Sequence, residues 1–122
     1  MKKCILILDD DPEILLICRI LLEKLDYRVE TRIRCDNIIK DIREEKPVMV
    51  LMDIWIPAMG GEKATKLIKE NKATQHIPVI LFSANSEIEE IFKRSNANGF
   101  LKKPFEIGAL VKTVETNILQ VT

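Results

Sequence analysis

The 122-residue chain has no charge excess of either sign. Its 19 Lys and Arg are matched by 19 Asp and Glu, a formal net charge of +0. Domains that bind nucleic acid usually carry a clear basic surplus, so direct nucleic-acid binding is not expected. The same balance argues against a polybasic membrane patch or a disordered acidic tail. No apolar run approaches the ~20 residues that a bilayer-spanning helix needs. The run that follows Met1-Lys2-Lys3 ends at Asp9, too soon for a secretory signal. Cysteine is scarce and unpatterned: Cys4, Cys18 and Cys35 form no CxxC pair, and the one histidine, His76, lies far from all three. That excludes a structural zinc site and a disulfide framework. Free thiols in a reducing compartment, and therefore a cytoplasmic placement, are the expectation. The length leaves room for one core only, so residues 1–122 are read as a single domain.

What is present is an alternation of short apolar runs with helical patterns. CILIL (4–8) is followed at once by Asp9, Asp10 and Asp11, after which Pro12 opens a helix with Asp11 placed to cap it. The apolar positions Ile14, Leu15, Ile17, Cys18, Leu21, Leu22 and Leu25 predict one wide buried face on that helix. Residues 27–31 read as a more polar strand, suited to a sheet edge. Ile38, Ile39 and Ile42 mark a short helix ending before Pro47. VMVLM (48–52) is apolar at every position and runs into Asp53, as a strand covered on both faces requires. A turn at Pro57-Ala58-Met59-Gly60-Gly61 precedes a helix lined by Ala64, Leu67 and Ile68. VILF (79–82) is another buried strand. Ser86 and Glu89 predict a capping box for a helix carrying Ile88, Ile91 and Phe92. Gly99 introduces the short strand Phe100-Leu101, and Leu110, Val111, Val114 and Ile118 line a last helix. Five strand–helix units with short connections imply an α/β fold, a parallel sheet with helices on both faces.

Open parallel sheets bind ligands beyond the carboxyl ends of their strands. Here those ends carry Asp9 and Asp10, then Asp53, then Ser83, then Lys102 and Lys103. Carboxylates gathered at one rim repel each other, and a divalent cation offsets that cost. An all-oxygen donor set suits Mg²⁺. A lysine and a hydroxyl at the same rim complete a site for a phosphoryl group, which needs charge neutralisation and hydrogen-bond donors. An aspartate on a rigid strand can then serve as nucleophile and form an acyl phosphate. Lys102 and Lys103 point to opposite sides if the strand continues that far, so only one can take part.

The segments ILILDDDPEI (5–14), VLMDIWIPAMGG (50–61), VILFSAN (79–85) and GFLKKPF (99–105) resemble, in order and spacing, the receiver domain of bacterial two-component response regulators. The resemblance spans essentially the whole chain. It implies a doubly wound, flavodoxin-like fold of five parallel strands in the order 2-1-3-4-5 with five helices. It also implies a signalling switch that takes a phosphoryl group from a sensor histidine kinase or phosphotransfer protein, with Mg²⁺ required. Carried over by position, Asp53 is the phosphoacceptor and Asp10 a direct Mg²⁺ ligand. Asp9 holds a metal-bound water or completes the acidic pocket, and the backbone carbonyl of Trp55 is a further ligand. Ser83 is the hydroxyl that turns to the phosphoryl group, and Lys103 pairs with acceptor and phosphoryl oxygens, its bond to Pro104 being cis. Phe100 holds the aromatic switch position and lacks a hydroxyl. Trp55 and Asn85 flank the path of the hydrolytic water, so Trp55 is expected to shield an acyl phosphate.

The resemblance further implies that partners read the surface of residues 87–94, 100–102 and 106–114, and it is compatible with dimerisation on phosphorylation. A receiver-like interaction module without phosphorylation is the alternative. A phosphotransferase of the haloacid-dehalogenase type would need a second acid where Trp55 stands. A flavodoxin-like cofactor protein would need a Ser/Thr/Gly-rich loop after the first strand. This chain has neither.

Overall fold

The computed structural model describes residues 2–118. Its strands are β1 (Cys4–Leu8), β2 (Arg28–Arg32), β3 (Met49–Asp53), β4 (Val79–Ser83) and β5 (Gly99–Lys102). The helices are α1 (Pro12–Lys24), α2 (Ile38–Glu45), α3 (Gly61–Glu70), α4 (Ile88–Ser95) and α5 (Ile107–Asn117). All strand pairs are parallel, and the sheet order is β2-β1-β3-β4-β5. Alternate residues of the central strands feed two cores. Leu6, Leu8, Val50, Met52, Val79 and Leu81 pack against α2, α3 and α4. Ile5, Ile7, Met49, Leu51, Ile80 and Phe82 face α1 and α5. Every residue of β1, β3 and β4 is buried, whereas β2 is mostly half-buried. Burying one such Ile or Leu contributes roughly 1.5–3 kcal/mol, so the three central strands hold most of the apolar stabilisation.

Asp11 caps α1, its carboxylate accepting from the Glu13 N–H at 2.9 Å, and Pro12 occupies the first turn. Two helix expectations need correction. The wide face expected of α1 is in fact a narrower one, a buried stripe of Leu15, Cys18 and Leu22 flanked by half-buried Ile14 and Leu21. Ile17 and Leu25 remain 49% and 40% exposed, as do Leu16 and Ile20 at 56% and 46%. A helix lying on a sheet covers only the residues that recur on one side, and α1 has apolar residues well beyond that stripe. The capping box of Ser86 and Glu89 does not form either. Helix α4 starts at Ile88, and Glu87 at its N-cap makes no side-chain cap bond. The turn ahead of it is held instead by Asn85, whose Oδ1 accepts from the Glu87 N–H at 2.8 Å.

The exposed edge β2 is tied to α2 by ions. Arg28 and Arg32 reach the two oxygens of Glu45 at 3.0 and 2.8 Å, and Arg32 also approaches Asp41 at 3.4 Å. Such inward-facing charges blunt an edge that could otherwise pair with a second chain. Cys4, Cys18 and Cys35 are free and buried. Burial pushes the thiols of Cys18 and Cys35 up to about 11, which leaves them unreactive. No helix among the described residues is long and apolar enough to cross a membrane.

Candidate functional site

Parallel pairing places the carboxyl ends of β1, β3, β4 and β5 at one rim, and the candidate residues converge there. Asp9 follows β1 and is fully buried, held by its backbone N–H to the Arg32 carbonyl at 3.1 Å. Its Oδ1 accepts from the Asp11 N–H at 2.9 Å. Asp53 ends β3 and is 5% exposed. One carboxylate oxygen from each of Asp9, Asp10 and Asp53 lies within 4.8 Å of the others, with Asp10 on the solvent side. Lys103, just past β5, sends its Nζ to Asp9 Oδ2 at 2.7 Å and to Asp53 Oδ1 at 3.3 Å. The ammonium also sits 4.8 Å above the Phe82 ring, within cation–π range. Lys102, at the end of β5, is exposed, so of the two lysines only Lys103 enters the site. The Lys103–Pro104 peptide bond is cis.

Burial is the main force on Asp53, and the Asp9 charge adds to it. Together they push its carboxyl up to about 6 against the opposing pull of Lys103, with Asp10 contributing further. Burial alone would lower Lys103, but the hydrogen bond and charge of Asp9, with the Asp53 charge beside them, prevail and hold it above the ordinary lysine range. Two buried carboxylates thus share one ammonium, and the third, Asp10, has no cation paired to it among the described residues. The set is all oxygen, crowded, and open on the Asp10 side, which is the donor chemistry that fits a hard divalent cation.

Ser83 ends β4 and is buried. Its Oγ accepts from the Asn85 N–H at 3.0 Å, an arrangement that leaves its own hydrogen for another acceptor. The Ser83 carbonyl accepts from the Lys103 N–H at 2.9 Å, which fixes lysine and serine relative to each other. Phe100 on β5 is half-buried and packs on Phe92 of α4 with ring centroids 5.2 Å apart. Trp55 is 67% exposed. With Asp10, Asn85 and Glu87 it lines an open cleft of about 540 Å³. Arg94 of α4 closes the far side of that cleft by a bidentate pair with Glu62 of α3, at 2.6 and 2.8 Å.

The loop after β3 contains a constraint that sequence reading treated as an ordinary turn. A Cβ added to Gly61 would lie 1.9 Å from the carbonyl oxygen of Asp53, so no side chain fits without moving the backbone of Asp53. The Gly61 N–H donates to the Ile54 carbonyl at 2.9 Å, and the Cys35 thiol donates to the Met59 carbonyl at 2.8 Å. The adjacent Gly60-Gly61 pair after the Asp-bearing strand was the available signal. Its reason is close approach rather than turn geometry.

Residues 5–115 match the family model described as the response regulator receiver domain. The chain belongs to that family. A curated receiver relative, protein PilH of Pseudomonas aeruginosa, is 34% identical over 112 residues, covering 90% of this chain and 93% of its own. Among solved structures, chemotaxis protein CheY4 of Vibrio cholerae superposes with a TM-score of 0.87 at 22% identity, over 97% of this chain and all of that one. The receiver domain of sensor histidine kinase PA1611 from Pseudomonas aeruginosa PAO1, solved with magnesium coordinated in its active-site cleft, superposes at 0.86 with 24% identity, covering 95% of this receiver and 97% of that chain. The five-stranded order 2-1-3-4-5 with five helices is the shared fold. Receiver domains are signalling switches of two-component systems rather than conventional enzymes.

Proposed function

We propose that residues 1–122 act as one cytoplasmic receiver whose Asp53 accepts a phosphoryl group from a sensor histidine kinase or phosphotransfer protein. The observation that carries this reading is Lys103, whose one ammonium spans the buried carboxylates of Asp9 and Asp53. A carboxyl near 6 is mostly ionised at neutral pH and more basic than an ordinary aspartate, two properties a nucleophile needs. An Asp53 oxygen attacks the phosphorus of a phosphohistidine. The new O–P bond forms as the N–P bond breaks, and the imidazole leaves with the electron pair and takes a proton from solvent.

Lys103 neutralises charge on the transferred group, and Ser83 donates its hydroxyl hydrogen to a phosphoryl oxygen. Asp10, Asp53 and the Trp55 carbonyl would hold Mg²⁺, with Asp9 acting through water. When bound, the ion supplies charge neutralisation and orients the phosphoryl oxygens. Withdrawal of Ser83 toward the phosphoryl group frees space that Phe100 fills, shifting a two-state equilibrium at the surface of α4, β5 and α5. A protein target or output domain reads that surface.

Acetyl phosphate and Mg²⁺ followed by intact-mass measurement test the reading. One phosphoryl adduct on the wild type and none on Asp53→Asn is the expected result. No adduct on the wild type would favour an interaction module that works without phosphorylation. Gel filtration with and without beryllofluoride shows whether occupancy of the site drives dimerisation. Trp55 stands two-thirds exposed beside Asp10 and Asn85, where it screens the acyl phosphate from water. The Trp55→Asn variant should therefore lose its phosphoryl group several-fold faster, and an equal or longer half-life would refute the screening role.

A further inference from the structure

The opposite end of the sheet, at the amino ends of β3 and β4, holds an open cleft of about 290 Å³. Its floor is apolar, made by the small exposed parts of Ile42, Val48 and Ile77, which are otherwise buried in the core. Its rim carries Arg43, Lys46 and His76, and no carboxylate lines it. The acids of α2 are engaged elsewhere: Asp41 and Glu45 pair with Arg32, and Glu44 with Lys40. Among the described residues, Arg43 and Lys46 therefore stand without an acidic partner. The carboxyl end of α2 adds a partial negative charge of about half a unit, which the two full cations outweigh.

Both walls are fixed before anything binds. On one side Lys46 closes α2 in the left-handed region (φ 50°), its N–H donating to the Ile42 carbonyl at 2.8 Å. On the other, the α3–β4 loop is held by Lys69, which donates to the carbonyls of Gln75 at 3.2 Å and Ile77 at 2.7 Å. Thr74 Oγ donates to the Ile68 carbonyl at 2.8 Å. With these side chains used up in shaping the loop, the cleft presents its rim groups Arg43, Lys46 and His76 to whatever binds there. It offers positive charge over an apolar floor, the complement of an extended acidic chain with an aliphatic residue next to its carboxylates.

We propose that this cleft docks an acidic segment of a partner protein, whose carboxylates meet Arg43 and Lys46 while an aliphatic side chain covers Ile42, Val48 and Ile77. The surface lies a full strand length from Asp53 and is independent of the phosphoryl site. The pentapeptide acetyl-Glu-Leu-Glu-Leu-Glu-amide, titrated into the ¹⁵N-labelled protein, is the probe, with its Gln-for-Glu counterpart as control. Amide shifts should concentrate at residues 43–48 and 73–77, and the Gln peptide should bind at least roughly tenfold more weakly. The double variant Arg43→Glu/Lys46→Glu should lose binding by a similar factor, while keeping its circular dichroism and its phosphorylation at Asp53. The proposal is overturned by shifts confined to other surfaces, by no shifts at millimolar peptide, or by equal binding of the two peptides. Concentration-dependent self-association that the double variant abolishes would also overturn it, assigning the cleft to a second copy of the chain.

Discussion

Asp53 and Glu45 are both carboxylates facing a strong cation, yet burial and the neighbouring Asp9 push Asp53 up to about 6 while hydrogen bonds from Arg32 and then Arg28 hold Glu45 below the usual range. The difference lies in stoichiometry and solvent. At the rim, Asp9 and Asp53 share the single ammonium of Lys103 with Asp10 crowded beside them, and Asp53 is almost fully buried. At the β2 edge, Glu45 draws on two guanidinium forks, and its own side chain keeps 19% of its surface exposed. The same residue types thus give one cluster that stores repulsion and another that relieves it. A cluster built for stability satisfies its acids, whereas one whose proposed role is to receive a cation and a phosphoryl group leaves them short.

The largest effect should come from removing the proposed acceptor, Asp53, or its partner Lys103. Asp53→Asn should abolish phosphorylation outright and Lys103→Met should slow it by roughly 10²-fold, as loss of one fixed electrostatic donor does. Glu45→Gln should leave the rate within a factor of two or so of wild type. Time-resolved intact mass reads all three variants, and a rate loss at Glu45 equal to that at Lys103 would erase the contrast.

Next comes the backbone beneath Asp53. Gly61→Ala should destabilise by about 2–4 kcal/mol in urea unfolding, because its methyl meets the Asp53 carbonyl. Gly108→Ala meets nothing within 4 Å in the first turn of α5 and should raise stability by roughly 0.5 kcal/mol. A gain at Gly61 like the one at Gly108 would mean that helix propensity, rather than contact with the Asp53 carbonyl, governs Gly61.

Titration sharpens the comparison further. An acid whose folded pKa is raised contributes stability at low pH and loses it as pH climbs through the folded value. Without divalent cation, Asp53→Asn should therefore be more stable than wild type by on the order of 1–3 kcal/mol above pH ~6, the gain vanishing below pH ~4. Glu45 has the opposite sign. Its folded pKa is depressed, so its contribution is present above the unfolded value near ~4.3 and disappears as pH falls through the folded one. Glu45→Gln should cost about 1 kcal/mol at neutral pH and little in acid. Thermal melts across pH 3 to 8 (roughly the window between acid unfolding and neutrality) would show two curves diverging in opposite directions. Parallel curves would show that the two clusters do not differ in kind.

How much of this was legible in the sequence depends on how local the signal is. CILIL, VMVLM and VILF declare central strands because burial on both faces forbids alternation. The acids, serine and lysine at their ends could be assembled because parallel pairing leaves those ends only one rim to share. The excess apolar surface of α1 could not be foreseen, since eight apolar residues on a helix look alike until the sheet selects a stripe. Nor could the cap of α4, where Ser86 competes with an Asn85 turn that satisfies the same backbone. The Arg28–Glu45–Arg32 cluster joins residues 17 and 13 positions apart, and Gly61 is required by a contact with another residue's carbonyl. Both are properties of the assembled molecule, on which single-sequence patterns are silent.

Lys103 has a mechanical side as well. Leaving the chain after β5, its stem passes over the ring of Phe82 on β4 and fastens to Asp53 on β3 and Asp9 beyond β1. It is a tie-rod laid across four strands at the carboxyl end of the sheet, just beyond the last residues of those strands. Of its two anchor points, the β3 one is the carboxylate proposed to react. Any group added there changes the load on the rod, and its other end is the start of the segment leading into α5.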